Sequence, residues 1–272
     1  MPEGDVVFRT AARLHAALAG QRIVKSDLRH PRLALVDLSG RTVTEAVPRG
    51  KHLLIRVTGG ITLHSHLKMD GNWWIYRPGQ RWRSPGHQVR VVLTTDEVVA
   101  VGSRLHDLEV ISTDDESSLV GHLGPDLLGP DWDPEEAVRR LRATPRRPIG
   151  LALLDQRNLA GIGNLYRAEV LFLRGVHPET PAGDVADLPA MVNTAHRLLF
   201  ANRARVEQST TGSLLRGQER YAYGRRGRPC LRCGTRIRSG PLGSGAEGTD
   251  AERTVFWCPA CQPLPDPPKG PA

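Results

Sequence analysis

The sequence predicts an α+β fold in which an N-terminal β-sandwich behind a single helix is followed by a helical domain and a small metal-binding ribbon. Three observations predict it: short segments rich in β-branched residues between residues 42 and 101, helical patterns between residues 134 and 203, and two cysteine pairs near the C-terminus. A chain of 272 residues is long enough for two ordinary domains. The predicted domain boundaries are residues 1–123, 134–224 and 225–263.

The first domain is predicted to begin with a helix. Apolar residues recur at helical spacing over Val6–Leu18, and Asp5 precedes them as a candidate N-cap. Beyond Gly20 the chain changes to short strand-like segments, with Gly59-Gly60 and residues 95–97 as hairpin turns. Strands at this spacing predict a β-sandwich or a barrel. The predicted strands are Thr42–Val47, Leu53–Val57, Ile61–Leu67, Trp73–Tyr76, Val89–Thr94 and Val98–Val101.

The second half is predicted to be helical after a linker. Residues 124–133 are rich in Gly, Pro and Asp, which is typical of a linker. Asp133 then precedes Pro134 and two glutamates, the pattern of a capped helix start. Glycines at 161 and 163 predict a tight turn between the middle two helices, and a proline-rich tail begins at Pro263. The predicted helices are Pro134–Ala143, Gly150–Arg157, Asn164–Leu173 and Leu188–Arg203.

The charge balance is basic and dominated by arginine. The chain has 37 basic and 29 acidic residues, a net charge of +8, and four of its basic residues are lysines while the other 33 are arginines. Arginine binds phosphate through a planar fork, which favours a polyanionic partner, although a basic surface that merely follows codon usage remains open. No stretch approaches the roughly 20 apolar residues of a membrane span, and no secretory signal is visible. We therefore expect a cytoplasmic protein without a membrane partner.

Two CxxC pairs, Cys230/Cys233 and Cys258/Cys261, predict a structural zinc site. Each pair supplies two thiolates from one tight turn, and four thiolates complete a tetrahedron around one Zn²⁺ without leaving an open position for catalysis. Disulfides or a redox pair are the alternative, but the cytoplasm keeps thiols reduced. A glycine-rich stretch at residues 240–248 accounts for the long spacing. Six arginines around the first pair favour contact with a phosphate backbone: Arg225, Arg226, Arg228, Arg232, Arg236 and Arg238.

The N-terminus carries a candidate nucleophile. Pro2 next to Met1 allows removal of the initiator, which leaves a secondary amine. An α-amino group has a pKa of about 7.7–8.0, so part of it is neutral and can attack a sugar C1′ to form an iminium ion. Taken alone, a proline at position 2 is more often an incidental processing signal.

Three motifs together resemble the formamidopyrimidine-DNA glycosylase/endonuclease VIII family. They are the Pro-Glu-Gly start, the LDQRNLAGIGNLYRAE segment at residues 154–169, and the FWCPACQ end of the ribbon at residues 256–262. The resemblance covers essentially the whole chain and implies that residues 154–169 form a helix–two-turn–helix. It also implies a bifunctional DNA glycosylase/AP lyase of base excision repair that acts on damaged double-stranded DNA as a monomer, with no small-molecule cofactor.

The resemblance implies roles for five residues. Pro2 matches the nucleophile that attacks C1′ of the damaged nucleoside, and Glu3 matches the acid that protonates the sugar ring oxygen. Lys51 matches a lysine near the catalytic centre that contacts phosphate and assists elimination. Asn164 matches an asparagine that binds a phosphate near the lesion, which agrees with the preference of a helix N-terminus for anions. Arg253 matches a phosphate-binding arginine of the zinc hairpin that is linked to δ-elimination.

Three further residues are predicted to contact DNA, and here the chain departs from the family. The loop at residues 66–71 resembles the void-filling loop, with Met69 as the wedge that replaces an extruded base; a core position for this methionine is the alternative. Lys68 stands where the endonuclease VIII branch has a glutamine, and His122 stands where it has an arginine. After Pro-Glu-Gly the family usually continues with Pro-Glu, whereas this chain continues with Asp5-Val6. A second glutamate that supports the site in the family is therefore missing here.

The branch determines the expected substrate. Formamidopyrimidine-type members carry a long loop before the ribbon that covers a flipped purine, whereas here only residues 209–218 separate the last helix from the ribbon approach. The resemblance therefore implies the endonuclease VIII branch and oxidised pyrimidines such as thymine glycol. An 8-oxoguanine/formamidopyrimidine-type glycosylase is one alternative. A zinc-ribbon protein that binds damaged DNA without catalysis is the other.

Overall fold

The computed structural model describes residues 2–243 and 253–264. The chain divides into two compact units, one of residues 1–122 and a second that begins at Leu123. The glycine-rich stretch predicted at the ribbon tip and the proline-rich tail lie largely outside the described residues. Within the described residues, no helix has both the length and the apolar character needed to span a membrane.

The first unit is a β-sandwich with one long helix, which confirms the predicted fold class. Its elements are α1 (Gly4–Leu18), β1 (Lys25–Leu28), β2 (Val43–Arg49), β3 (His52–Val57), β4 (Ile61–His66), β5 (Asn72–Tyr76), β6 (Val89–Thr94), β7 (Val99–Ser103), β8 (Asp107–Ser112) and α2 (Glu116–Val120). They form two antiparallel four-stranded sheets with the orders β1-β6-β7-β5 and β2-β3-β4-β8.

A single apolar core joins α1 to both sheets. The helix contributes Leu14 and Leu18, β3 contributes Leu53 and Ile55, and β6 contributes Leu93, all almost completely buried. Alternation along β3 follows from the pleat, because successive side chains of a strand point to opposite faces. Burial of each such leucine or isoleucine contributes about 1.5–3 kcal/mol. This core fixes the ends of β2, β3 and β4, where the candidate site residues lie.

The structure corrects three predictions for the first unit. Strands β1 and β8 are edge strands that were not predicted: β1 has the polar sequence KSDL, whereas β8 does show the alternation of an amphipathic strand through Leu108 and Val110. The short helix α2 was also missed. Asp5 is not the cap of α1: the helix begins at Gly4, Glu3 is its N-cap residue, and Asp5 lies fully buried in the first turn.

The second unit is helical and ends in a two-stranded hairpin. Its elements are α3 (Pro134–Arg142), α4 (Ile149–Ala152), α5 (Asn164–Arg174), α6 (Leu188–Asn202), β9 (Arg238–Leu242) and β10 (Arg253–Trp257). Asp133 caps α3 as predicted, since its carboxylate accepts hydrogen bonds at 3.0 Å from the backbone N–H groups of Glu135 and Glu136. Gly175 ends α5 in the left-handed conformation, with φ of 68°.

Two predictions for the second unit are wrong. The helix predicted over Gly150–Arg157 stops at Ala152, because the Asp155 carboxylate accepts the backbone N–H of Arg157 at 3.0 Å and so offers that amide an alternative to helix. The predicted linker at residues 124–133 is not a free connection. Leu127 is fully buried in the helical core, and its N–H donates to Ala160 O at 3.1 Å. Asp126 forms a parallel bridge with Ala160, and the residues that follow it, 127–131, are turns and a bend.

Candidate active site and metal-binding ribbon

The start of α1 places Pro2 beside a buried carboxyl group. Glu3 is 1% exposed, and its carbonyl oxygen accepts the N–H groups of Val6 and Val7 at 3.0 and 3.1 Å. The half-buried Pro2 therefore sits at the positive end of a 15-residue helix, where the helix dipole disfavours protonation of a terminal amine. This arrangement can supply a neutral amine and an acid from adjacent residues.

Lys51 lies in the tight turn that joins β2 to β3. Arg49 pairs directly with His52, so the turn consists of Gly50 and Lys51, and Gly50 has a φ of 57°. A residue other than glycine is strained at this φ, and the glycine therefore allows the tight reversal. The rigid strands on both sides hold the lysine at the end of the sheet.

Three histidines form a cluster next to this turn. His52 Nδ1 lies 2.9 Å from His64 Nε2, and the His52 ring packs edge-on against His66 with centroids 5.1 Å apart. The three belong to one sheet face, since His52 pairs with His66 across β3 and β4 and His64 precedes His66 by two residues. The predicted DNA-contacting His122 joins the cluster, with its ring 6.4 Å from that of His52.

Burial keeps this cluster neutral. Desolvation, followed by the charges of neighbouring histidines and Lys68, lowers the pKa of His52 to about 3. Desolvation and the charges of Lys68 and Lys51 lower the pKa of His66 to about 4. Desolvation also lowers the pKa of His64. The negative charge of Glu109, whose Oε1 lies 3.7 Å from His64 Nδ1, raises that pKa by a smaller amount. Lys51, Lys68 and His122 therefore lie next to uncharged imidazoles of this cluster.

Sequence reasoning did not identify His52, His64 and His66 as a group. The available signal was the pair of histidines two residues apart in β4, together with a third histidine immediately after the predicted site lysine. Only the strand register shows that the three meet, because a register shifted by one residue would place them on opposite faces.

The loop between β4 and β5 exposes Met69. This side chain is 66% exposed, which excludes the core position that the sequence left open. Lys68 Nζ forms an ion pair with Asp107 at 2.7 Å, and Asp70 forms one with Arg104 at 3.2 Å. Lys68 and Arg104 are the two non-glycine residues with positive φ in the described chain, at 48° and 53°. Such strain is concentrated at functional loops and is held here by the ion pairs.

In the second unit, α5 brings Asn164 to the strand that carries Arg253. Asn164 is the first residue of α5, after a tight turn in which Gly161 has a φ of 101°. Its Nδ2 donates at 3.1 Å to the carbonyl oxygen of Thr254, which directly follows the exposed Arg253 on β10. Asn164 and Arg253, two predicted phosphate-contacting residues 89 positions apart in sequence, are therefore brought near each other by a hydrogen bond from Asn164 to the residue that follows Arg253.

The four cysteines converge as a metal-binding cluster. Their sulfur atoms all lie within 4.8 Å of one another, with Cys233 Sγ 3.5 Å from both Cys258 Sγ and Cys261 Sγ, and Cys230 Sγ 4.0 Å from Cys261 Sγ. A tetrahedral Zn²⁺ with bonds of about 2.3 Å places its sulfurs about 3.8 Å apart. A disulfide needs about 2.05 Å and is excluded. The donor set and spacing therefore fit one tetrahedral thiolate-bound metal.

Comparisons with known proteins agree with this geometry. Residues 1–108 match the model of the formamidopyrimidine-DNA glycosylase N-terminal domain, and residues 123–212 match that of the formamidopyrimidine-DNA glycosylase H2TH domain. The chain is 56% identical to a probable endonuclease 8 2 of Streptomyces coelicolor over 99% of this chain and 97% of that protein. It is 47% identical to the DNA-(apurinic or apyrimidinic site) lyase Nei2 of Mycolicibacterium smegmatis, over 96% of this chain and 99% of that protein.

Solved structures share the fold. A complex of Lactococcus lactis Fpg with abasic-site DNA aligns with a TM-score of 0.79 at 24% identity, covering 97% of this chain and all of that one. The two domain models together match well over half of the chain, and full-length relatives exceed 30% identity. The protein therefore belongs to the formamidopyrimidine-DNA glycosylase/endonuclease VIII family.

Proposed function

We propose that this bifunctional DNA glycosylase/AP lyase excises oxidised pyrimidines from double-stranded DNA and then cleaves the strand by β,δ-elimination. The observation that carries the proposal is the pairing of an N-terminal proline with a buried glutamate at the start of α1, in a chain of this family. The relative named as an abasic-site lyase supports the lyase half. We expect the protein to act as a monomer on cytoplasmic, nucleoid-associated DNA.

The reaction follows from the two terminal groups. The neutral Pro2 amine attacks C1′, forming a C–N bond while the N-glycosidic bond breaks; the departing base takes the electron pair of that bond and the proton that the attacking amine loses. Glu3 donates a proton to the ring oxygen, which opens the sugar and yields an iminium ion. The iminium makes a C2′ proton acidic, and its removal expels the 3′ phosphate in β-elimination. A second elimination expels the 5′ phosphate, and water releases the amine.

The remaining predicted residues are assigned to DNA binding. Lys51, on its rigid turn, contacts phosphate and assists elimination in this proposal. Asn164 and Arg253 bind phosphate beside the lesion, and the hydrogen bond from Asn164 to Thr254 supports their common role. Lys68 and His122 contact the DNA near the histidine cluster. Met69 fills the space left by the extruded base, which its exposure supports.

The four cysteines Cys230, Cys233, Cys258 and Cys261 would hold one structural Zn²⁺. The metal would crosslink the ribbon hairpin that carries Arg253, and it would supply fold stability alone because thiolates take all four positions. Phe172 of α5 packs against Cys230 and Cys258, so the stabilised ribbon is also held to the helix that carries Asn164.

The preference for pyrimidines is supported by the segment before the ribbon. Thr210 N donates to Glu219 O at 2.9 Å, and Thr211 Oγ1 donates to Gln218 O at 2.6 Å, so residues 210–219 close on themselves as a short loop. Such a loop is shorter than the purine-covering loop that the family resemblance implies for the formamidopyrimidine branch. Faster excision of 8-oxoguanine opposite cytosine than of thymine glycol would refute the preference.

Borohydride trapping tests the catalytic proposal. The protein is incubated with a duplex containing one abasic site, and borohydride reduces any iminium to a stable amine. We expect a covalent protein–DNA adduct for the native protein and none for Pro2→Gly or for protein that retains Met1. An undiminished adduct in either variant would overturn the Pro2 assignment. Binding without any adduct would instead indicate a non-catalytic damaged-DNA-binding protein.

A further inference from the structure

The helix α5 buries an arginine that the proposed chemistry does not use. Arg167 is 0% exposed and is the largest fully buried side chain in the described part of the chain. Removing a guanidinium from water is costly, so a buried arginine needs several well-placed acceptors. Arg167 follows Asn164 by three residues, which places both on one face of the helix.

Three oxygen atoms accept hydrogen bonds from this guanidinium. Nη1 donates to Gly150 O at 3.2 Å, and Nη2 donates both to Thr254 O at 3.0 Å and to the side-chain oxygen Oδ1 of Asn164. Asn164 Nδ2 donates to the same Thr254 oxygen at 3.1 Å. Arg167, Asn164 and the Thr254 carbonyl thus form a closed triangle.

The triangle determines which end of the Asn164 amide is available. An asparagine amide has one accepting oxygen and two donating N–H groups, and a phosphate can only accept. Because Arg167 can only donate, it engages Oδ1 and leaves the NH₂ group as the donor. One of its hydrogens is directed to Thr254 O, and the other is then available to an anion. A reversed amide would present its oxygen to the phosphate and repel it.

We infer that Arg167 is a positioning residue that orients the Asn164 amide and anchors β10 next to Arg253, so that both present donors to one phosphate. This inference rests on the proposed role of Asn164 and Arg253 in phosphate binding. A lysine could not replace Arg167, since a single ammonium cannot reach three oxygens that a planar fork with five N–H donors spans.

A double-mutant cycle distinguishes positioning from a purely structural role. The variants are Arg167→Met, Asn164→Ala and their combination, and the measured quantity is the Kd for a duplex carrying a tetrahydrofuran abasic-site analogue. We expect each single variant to weaken binding about tenfold or more. In the Asn164→Ala background, Arg167→Met should weaken binding by a clearly smaller factor than in the native protein, the remaining loss being that of the β10 anchor. Effects that multiply fully would overturn the inference, because a structural role does not depend on Asn164.

Arg174→Met is the matched control. This arginine lies on the last turn of the same helix, and its guanidinium pairs at 3.5 Å with Asp187 on the surface. We expect the Kd of the Arg174→Met variant for the abasic-site analogue to stay within about twofold of the native value. Because Arg167 also anchors β10, Arg167→Met should lose the contact between Arg253 and phosphate and so reduce the slope of log K against log salt by about 0.9. An unchanged slope would contradict the inference.

A measurement on the unmodified protein covers the case in which Arg167→Met does not fold. One proton of the Asn164 side-chain amide, the one donated to Thr254 O, should exchange slowly with solvent, whereas the other should exchange rapidly until an anion binds. Rapid exchange of both protons, typical of an exposed asparagine, would overturn the inference. If the native protein forms no borohydride adduct, the proposed function fails; if the adduct forms but the cycle is additive, the positioning role alone fails.

Discussion

The two units hold their functional groups by different physical means. The first unit gathers Lys51, Lys68 and three histidines at one end of a sheet and keeps the imidazoles uncharged by burial. The second unit orients Arg167 and Asn164 with a backbone carbonyl and gathers four thiols that fit a metal. In the proposed function, the second unit binds phosphate, and this requires hydrogen-bond donors that are held in a fixed orientation.

This difference predicts that the units respond to different disturbances. The histidine cluster depends on protonation, so acid should act first on the first unit. The Zn²⁺ proposed for the four thiols would hold the ribbon together, so chelation should act first on the second unit. No residue of the first unit contributes to the four-thiol cluster.

Metal removal is expected to have the largest effect. Structural Zn²⁺ contributes roughly 10–16 kcal/mol of apparent binding energy in small zinc domains, and this energy is folding energy. Chelation should therefore remove hydrogen-exchange protection from β9 and β10, while β3 and β4 keep theirs. Cys258→Ser should reproduce the result without chelator. A hairpin that stays protected after its metal has been removed would refute the structural role.

Glu3→Gln is expected to have the next largest effect. The substitution keeps the side-chain volume, and it removes no helix cap because the Glu3 side chain makes no capping hydrogen bond. Loss of a general acid should slow thymine glycol excision about 10²–10⁴-fold in single-turnover assays. Cleavage at a preformed abasic site should slow less, since an abasic sugar is a hemiacetal that opens to its aldehyde form without protonation by Glu3.

The second buried carboxyl of α1 provides the control for Glu3. Asp5→Asn changes a neighbouring side chain that is equally buried, and we expect it to slow excision less than tenfold. Equal losses in the two variants would show that burial of charge, and not proton donation by Glu3, accounts for the effect.

Acid should destabilise the first unit through its histidines. The unfolded chain binds protons at a histidine pKa of about 6.5, whereas the folded pKa values are about 3 for His52 and about 4 for His66. The unfolded state therefore binds more protons below pH 6.5, and stability falls as the pH falls. Each histidine contributes a slope of up to about 1.4 kcal/mol per pH unit.

Urea denaturation between pH 7 and 5 measures this slope before Asp107, a neighbouring carboxyl whose pKa is lowered, begins to protonate. The slope of unfolding free energy against pH should be smaller for His52→Asn than for the native protein, by about the amount that one proton contributes. The exposed His87, which lies outside the cluster, provides the control, and His87→Asn should leave the slope unchanged. Equal slopes for native protein and His52→Asn would place the pH dependence elsewhere.

Local sequence patterns were sufficient for the main elements and for the four-cysteine cluster. Helices α1, α3, α5 and α6 have apolar periodicity or caps, and CxxC spacing alone brings two thiols together. Most predicted strands agree with the observed ones to within two residues. The edge strand β1 has four residues with a single apolar one and gives no pattern, whereas β8 carried an alternating signal at Leu108 and Val110 that was missed.

Long-range contacts could not be predicted from the sequence. Arg167 and Glu169 appear as ordinary charged positions of a helix, yet both are fully buried. Glu169 accepts the backbone N–H groups of Tyr221, Ala222 and Tyr223 at 2.7–2.8 Å, more than 50 residues away. A buried charge is recognisable only once its partners are placed, and the same holds for the histidine cluster, which depends on strand register.

Met69→Ala is expected to have the smallest effect and to separate the wedge from the rest of the first unit. The side chain is exposed, so its removal should leave thermal stability unchanged, whereas Leu67→Ala two residues earlier should cost about 2–5 kcal/mol because Leu67 belongs to the core. A wedge is needed only where a base leaves a stacked duplex. Excision of thymine glycol should therefore fall about three- to tenfold in duplex DNA and hardly at all in single-stranded DNA. Equal losses on both substrates would show that Met69 contacts the damaged strand itself and does not fill the vacated space.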